Sequence, residues 1–314
     1  MISVLLLACV VGALELPRVV LVGVTGGTGP RAVMGLLDTL KAEQLFALSR
    51  RPESSTCEIF RARGIEVVEA DLDDLGSVKR AIDLIGPEFA YVHGTGGDGK
   101  DADTGETRRA RTLAQALTNV ELVCYNSAAA NDEHVAKIDR IRQKRECEEI
   151  FSKEIKTICL RNTLFMEELW KSYTRPSILK KKKFAFSVKP DTPMYLTSVR
   201  DLGRIAAAIF ENPDRYDHII DVASDLKTPR AMAESFGVSY RRDRILPLVA
   251  RLLKPELFRI LQFYEDSSLD VDIHHLKAQL PPQTLTSFDT FLEETHWSDP
   301  DRSYETLVND LRGD

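Results

Sequence analysis

Four glycines fall within seven positions, Gly23, Gly26, Gly27 and Gly29, in the stretch VVLVGVTGGTGPRAVMGLL (19–37). An apolar run precedes them and a segment of helical period follows. Turning sharply from strand to helix needs residues that tolerate positive φ. Letting a pyrophosphate approach the first helical N–H groups needs residues without side chains. Gly26 and Gly29 are expected to meet those needs. Gly23, Thr25, Gly27 and Thr28 complete the loop, and Ala32 is small enough for the helix to pack on the strand. The chemistry such a loop serves is dinucleotide binding.

About twenty residues further on, an NAD-preferring site places an acid to bond the ribose hydroxyls. This chain has LSRRPE instead: Arg50 and Arg51, with Glu53 following only after Pro52. A guanidinium suits a 2′-phosphate, so the expected cofactor is NADP(H). The next apolar run ends in EADLDD. Asp71 there is placed to accept a bond from an adenine amino group, with Leu72 against the ring. Asp73 and Asp74 are placed to cap the following helix.

These residues need a scaffold, and the periodicity supplies one. Strand-length apolar runs at 18–24, 44–49, 65–70, 88–93, 120–126 and 156–161 alternate with segments of helical spacing. In the segment 74–86, for example, Leu75, Val78, Ile82 and Ile85 share one face. The first, third and fifth runs are nearly all apolar, as strands buried on both faces should be. The alternation predicts an α/β fold, a doubly wound parallel sheet of Rossmann type. After Asn162 the rhythm changes. Residues 184–188 and 218–223 read as short strands. Residues 198–213 read as a helix that Ser198 can cap and Pro213 ends, and 244–265 as a helix interrupted around Pro255. Residues 285–297 read as a last helix with Phe288, Phe291 and Leu292 on one face. We therefore expect a dinucleotide-binding domain over 17–162 and a smaller α+β substrate or partner lobe over 163–314, interleaved with the sheet.

The chain carries a net charge of −6 and an isoelectric point near 5.7, which argues against direct nucleic-acid binding. Its five cysteines are scattered, with no CxxC pair; they read as reduced thiols rather than a disulfide framework or metal site. Residues 1–16 are an apolar extension, too short to span a bilayer well. They read either as a packed extra element of a cytoplasmic protein or as a signal for the secretory pathway or an organelle, with Val11-Gly12-Ala13 at the cleavage site but no positive n-region.

The pieces VTGGTGPRAVMGLL, LSRRPES, GIEVVEADLDDLGSVKRAI and VELVCYNSAA, with LRNTLFMEEL and PMYLTSVRDLGRIAAAIFENPDRYDHIIDVASD, resemble the NmrA-like family of atypical short-chain dehydrogenase/reductases, close to its isoflavone-reductase-like group. The resemblance runs from about residue 18 to 300. The glycine loop is common to the whole superfamily, whereas the later blocks are more specific to this branch. The resemblance implies NADP(H) binding with either a reductase activity or a cofactor-sensing regulatory role.

Ordinary short-chain reductases use a Tyr-x-x-x-Lys pair, in which the lysine lowers the tyrosine's pKa and the tyrosine passes a proton to the substrate carbonyl. None of the eight tyrosines here has a lysine four residues on. Isoflavone-reductase-like relatives instead use a lysine on the helix after the fifth strand. Lys144 is the match to that position and Lys137 the second choice. The resemblance also places Ser127 beside the cofactor. Gly94, at the end of the fourth strand, is expected there too; Arg161 and Asn162, at the end of the sixth, are expected beside its nicotinamide amide; and Phe165, Met166 and Trp170 read either as an apolar substrate wall or as plain helix packing. The loop HGTGGDGKDADTGE, after the fourth strand, reads as a flap over the cofactor. Two readings follow: an NADPH-dependent reductase of a small apolar or aromatic substrate, and an NADP(H) sensor that binds a protein partner without turnover. LKKKKF (179–184) reads as a solvated loop.

Overall fold

Strands buried on both faces, each followed by an amphipathic helix, must stack those helices on the two sides of a parallel sheet. The computed structural model of the chain, which describes residues 16–96, 105–266 and 269–309, has that arrangement. The signal or extension over 1–16 and the body of the proposed flap fall on residues 1–15 and 97–104, outside the described residues.

In chain order the elements of the first half are β1 (Val19–Val22), α1 (Gly29–Leu37), β2 (Leu45–Ser49), α2 (Ser55–Ala62), β3 (Glu66–Glu69), α3 (Leu75–Ile85), β4 (Phe89–Val92), α4 (Gly105–Ala116), β5 (Leu122–Ala128), α5 (Asp132–Lys137), α6 (Asp139–Glu154) and β6 (Thr157–Asn162). The second half adds β7 (Leu164–Phe165), α7 (Arg175–Lys181), β8 (Lys183–Phe186), β9 (Met194–Thr197), α8 (Val199–Glu211), β10 (Ile219–Val222), β11 (Asp225–Lys227), α9 (Pro229–Ser235), β12 (Ser239–Arg242), α10 (Ile245–Leu253), α11 (Pro255–Asp266), α12 (Ile273–Gln279), α13 (Phe288–Glu294) and α14 (Tyr304–Asn309). Seven strands form one parallel sheet in the order β10-β6-β5-β4-β1-β2-β3. The order reverses between β1 and β4, and a ligand crevice opens at the carboxyl ends of strands at such a point.

One expectation about the strands is corrected. The third strand is not buried on both faces but lies at the sheet's edge: Glu66 and Glu69 are exposed, and of its four residues only Val68 is buried. Residues 218–223 contain the short strand expected there. β10 pairs with β6, Ile219 opposite Cys159, and extends the main sheet at its other edge.

The apolar core lies on both faces of the sheet. On one face α1 and α8 cover β1, β2, β4 and β6 through Val33, Leu36, Leu202 and Ile205. On the other, α3, α4 and α6 pack through Val78, Ile82, Leu113 and Phe151. The α1–α8 crossing is close. A Cβ added at Gly35 would stand 1.8 Å from the carbonyl oxygen of Arg200, and one at Gly203 would stand 1.9 Å from that of Ala32. Asp38, just past α1, accepts hydrogen bonds from Arg200 and Arg204 at 2.6 Å. Ser198 occupies the N-cap position of α8, but its side chain makes no capping bond. Instead the buried carboxylate of Glu167 accepts from the N–H of Val199 at 3.1 and 3.2 Å. Burial pushes the Glu167 carboxyl up to about 7.

Beyond the sheet, a smaller body packs Phe184, Phe288, Phe291 and Trp297 together. The helix expected over 285–297 is the shorter α13, capped by Ser287, whose hydroxyl accepts from Thr290 N–H at 3.1 Å; it is not the last, since α14 follows and packs Leu307 into the same body. The break expected near Pro255 separates α10 from α11. A second break, not expected, falls at buried Ile138 and divides α5 from α6. Among the described residues no helix is long and apolar enough to cross a membrane, and no group of His, Cys, Asp and Glu is gathered as a metal site. The four described cysteines are buried free thiols.

Candidate functional site

A cleft of about 790 Å³ opens at the carboxyl ends of β1 and β4. Its first wall is the glycine loop. Gly23 has φ 73°, and a Cβ there would lie 1.9 Å from the carbonyl oxygen of Gly94, so the turns after β1 and β4 close on each other. Gly27 has φ 56°. These two, not Gly26 and Gly29, carry the left-handed backbone. Gly26 lines the cleft, and a Cβ there would meet no atom within 4 Å. Gly29 serves packing: its Cβ would lie 2.5 Å from the Cα of Val24. The N–H groups of Gly26, Gly27 and Thr28 have no acceptor among the described residues. They stand at the N-terminus of α1, where the helix dipole favours an anion.

The end of β2 forms the second wall. Arg50 and Arg51 both line the cleft and are exposed, and neither guanidinium has an ion-pair partner among the described residues. Asp71 and Leu72, after β3, line the same side. The Asp71 carboxylate accepts from the N–H of Asp73 at 3.0 Å, while Asp74 caps α3 by accepting from Gly76 N–H at 2.8 Å. Asp73 has a different task. It takes the Arg109 guanidinium at 2.7 Å and Arg108 at 2.9 Å, which ties α4 to the end of β3.

At the far end stand Gly94, Asn126, Ser127, Lys144 and Asn162. The Lys144 ammonium donates to Glu106 Oε1 at 2.7 Å and to the carbonyl oxygen of Asn126 at 3.1 Å, and lies 5.2 Å from the centre of the Tyr125 ring. Burial alone would raise the Glu106 carboxyl. The adjacent ammonium and the Tyr125 hydroxyl, which donates to it at 3.2 Å, outweigh burial and hold it below the usual carboxylate range. Lys137 is elsewhere, exposed on α5 and paired with Glu133 at 2.5 Å. The Ser127 hydroxyl lines the cleft but donates to Glu148, which also takes Arg145 and Arg161, each at 2.7 Å. Arg161 is therefore engaged behind the cleft rather than in it. Asn162 donates to Asn126 Oδ1 at 2.7 Å and to the carbonyl oxygen of Ser127.

His93 was given no role by sequence, yet it bridges two walls: Nε2 is 3.0 Å from Thr28 Oγ1 and Nδ1 is 2.9 Å from the Tyr91 hydroxyl. Burial, reinforced by the Lys144 charge, pushes its ring down to about 3, so it is neutral near pH 7. Phe165 lies nearly parallel to it, ring centres 6.4 Å apart, and lines the cleft. Met166 and Trp170 do not join this wall. Both are buried in the smaller body, where Trp170 meets Trp297 edge-on at 5.6 Å and carries the Arg175 guanidinium at 4.0 Å.

A seven-stranded parallel sheet built from successive βα units, whose first turn is a glycine-rich loop and whose cleft lies at the strand-order reversal, defines a Rossmann-type fold. Within that class the chain belongs to the NmrA-like family, whose model matches residues 17–242. Solved structures with the same fold include a nucleoside-diphosphate-sugar epimerase from Staphylococcus aureus (TM-score 0.70, 16% identity, 88% of this chain and 100% of that one). The NADPH-dependent quinone oxidoreductase QOR2 from Escherichia coli, complexed with NADPH, is similar over 88% of this chain and 99% of its own (TM-score 0.66, 18% identity). So is the Citrobacter sp. triphenylmethane reductase complexed with NADP(H), over 87% and 99% (TM-score 0.67, 17% identity).

Proposed function

We propose that the cleft binds NADP(H) and that the protein is a reductase of a small apolar or aromatic acceptor. The observation that carries this reading is one cleft holding three things together: unpaired loop N–H groups, the guanidinium groups of Arg50 and Arg51 without ion partners, and the Lys144–Glu106 pair beside Phe165. The residues fit the cofactor. Gly26 leaves open the space a pyrophosphate needs, and the arginines match a 2′-phosphate where an NAD site would repel it. The likeness in fold to reductases solved with NADPH and NADP(H) supports the same assignment.

When bound, the cofactor supplies hydride. The chain's own part is to position and to polarise. Lys144 has three N–H protons; Glu106 and the Asn126 carbonyl hold two, which fixes the ammonium and leaves the third for a ligand hydroxyl or carbonyl. Phe165 supplies an apolar surface, and the neutral His93 ring behind it adds no charge to repel such an acceptor.

One observation favours the second reading, a cofactor sensor. An ammonium already neutralised by a carboxylate at 2.7 Å is better held as a fixed charge than as a proton donor. The test is NADPH binding by titration together with NADPH oxidation across quinones and aromatic carbonyls. Tight binding with turnover of one class supports the reductase. Tight binding without turnover supports the sensor, and no binding overturns both.

A further inference from the structure

α10 shows an apolar face with nothing packed on it among the described residues. Ile245, Leu248, Val249 and Leu252 recur at i, i+3, i+4 and i+7, which sets them in one stripe, and they are 69%, 64%, 44% and 81% exposed. Leu246 and Leu253 widen the stripe on one side, the latter 75% exposed. Only Ala250 turns inward. The helix is therefore amphipathic in the inverted sense: its apolar side faces out.

The exposed charges that flank the stripe are of one sign. Arg244 and Arg251, seven residues apart, flank it on the side opposite Leu246 and Leu253. Arg241 and Lys254 stand at its two ends. All four are exposed, and none has an ion-pair partner among the described residues. The one acid between residues 239 and 254, Asp243, is spent on the helix N-terminus, accepting from the N–H groups of Ile245 and Leu246 at 2.9 and 3.1 Å. The lysine run lies at the far end of the neighbouring strand pair. β8 lies parallel to β12 with Lys183 opposite Ser239, so exposed Lys180–Lys183 stand one short strand away from Arg242. In a chain of net charge −6 this is a local reversal of sign.

We propose that α10 is a membrane-docking helix: it lies in the plane of an anionic lipid surface, with its aliphatic stripe among the upper acyl chains and Arg241, Arg244, Arg251 and Lys254 against the headgroups. Outward aliphatics rimmed by cations, without acids, are what an interfacial helix presents to anionic lipid. Nine residues make about 13 Å of helix, enough to lie on a bilayer and far too short to span it. A second copy of the chain fits less well. In a two-fold interface the same patch meets itself, setting Arg244 and Arg251 near their own counterparts with no free acid to pair them.

The test is co-sedimentation of the full chain with vesicles of phosphatidylcholine alone and of phosphatidylcholine with phosphatidylglycerol. Binding to the anionic vesicles is expected to be roughly ten-fold or more tighter and to fall with added salt. The double variant Leu252→Glu/Leu253→Glu is expected to lose that binding by roughly ten-fold or more, and Arg244→Glu/Arg251→Glu to lose the preference for anionic lipid. Both pairs are on the surface, so an unchanged melting temperature and NADPH affinity certify the fold. Both variants keep residues 1–15, so vesicle binding that survives in them overturns the proposal. So does equal binding to both vesicle types, or no vesicle binding accompanied by a dimer that the leucine variant dissociates.

Discussion

The Lys144 ammonium stands 2.7 Å from Glu106 Oε1, joining α6 to α4 across the carboxyl ends of the sheet. The two residues are 38 positions apart, and both line the cleft. Lys144→Ala is expected to lower NADPH-dependent turnover by about 10²-fold, the scale for a positioned polar group at the reacting centre. The check is steady-state kinetics on the acceptor identified in the panel; rates equal to the parent's would return Lys144 to a structural role.

The two kinds of glycine in the loop separate in experiment. Gly26→Val adds a branched side chain to open space in the cleft, so NADPH affinity should fall steeply with the melting temperature nearly unchanged. Gly23→Val drives a Cβ into the Gly94 carbonyl at positive φ and should destabilise the fold itself by about 1–3 kcal/mol or more. Calorimetry and thermal melts on both variants check this; a folded Gly26→Val protein with full affinity would remove the loop from the binding site.

Cofactor preference should follow Arg50 and Arg51. Charge-assisted hydrogen bonds contribute about 1.5–3 kcal/mol each, so one good contact to a 2′-phosphate favours NADPH over NADH by roughly ten- to a hundred-fold. Titration of both nucleotides against the parent, Arg50→Ala and Arg51→Ala at one ionic strength measures it. Absence of a preference in the parent, or its survival in both variants, contradicts the assignment.

His93 gives the protein an acid-side liability. Its ring pKa is lowered from 6.5 to about 3 in the folded state. The unfolded chain therefore takes up a proton first, and stability that is complete above about pH 6.5 is lost as the pH falls toward 3. His93→Gln should show a shallower loss over that window in urea midpoints measured from about pH 7 to 4. In the parent, the His93 ring resonances should not titrate between about pH 8 and 5.

The sheet was legible because its strands are apolar and its helices periodic, and those signals are local. β3 misled because Val67 and Val68 lie between Glu66 and Glu69, a sequence that suits an edge strand as well as a short buried one. β10 was read as a strand, but its partner was not, since nothing in residues 218–223 names Cys159. The site was legible where one motif holds it, as in the glycine loop and the arginine pair. It was not where distant residues meet. Glu106 sits in a polar stretch with no motif and becomes a partner of Lys144 only when α4 and α6 pack together. Met166 and Trp170 follow Phe165 closely in sequence, which leaves a cleft wall and plain packing equally open; the chain turns away after that residue and buries both.

Gly35 and Gly203 admit each other's helix backbones, and so the helix that begins at the glycine loop is seated on a helix almost 170 positions later in the chain. A fragment ending at Asn162 would leave the apolar side of α1 wet and the edge of β6 unpaired, an invitation to aggregate. A gene-level cut at Asn162 should yield insoluble fragments rather than a free-standing nucleotide-binding module.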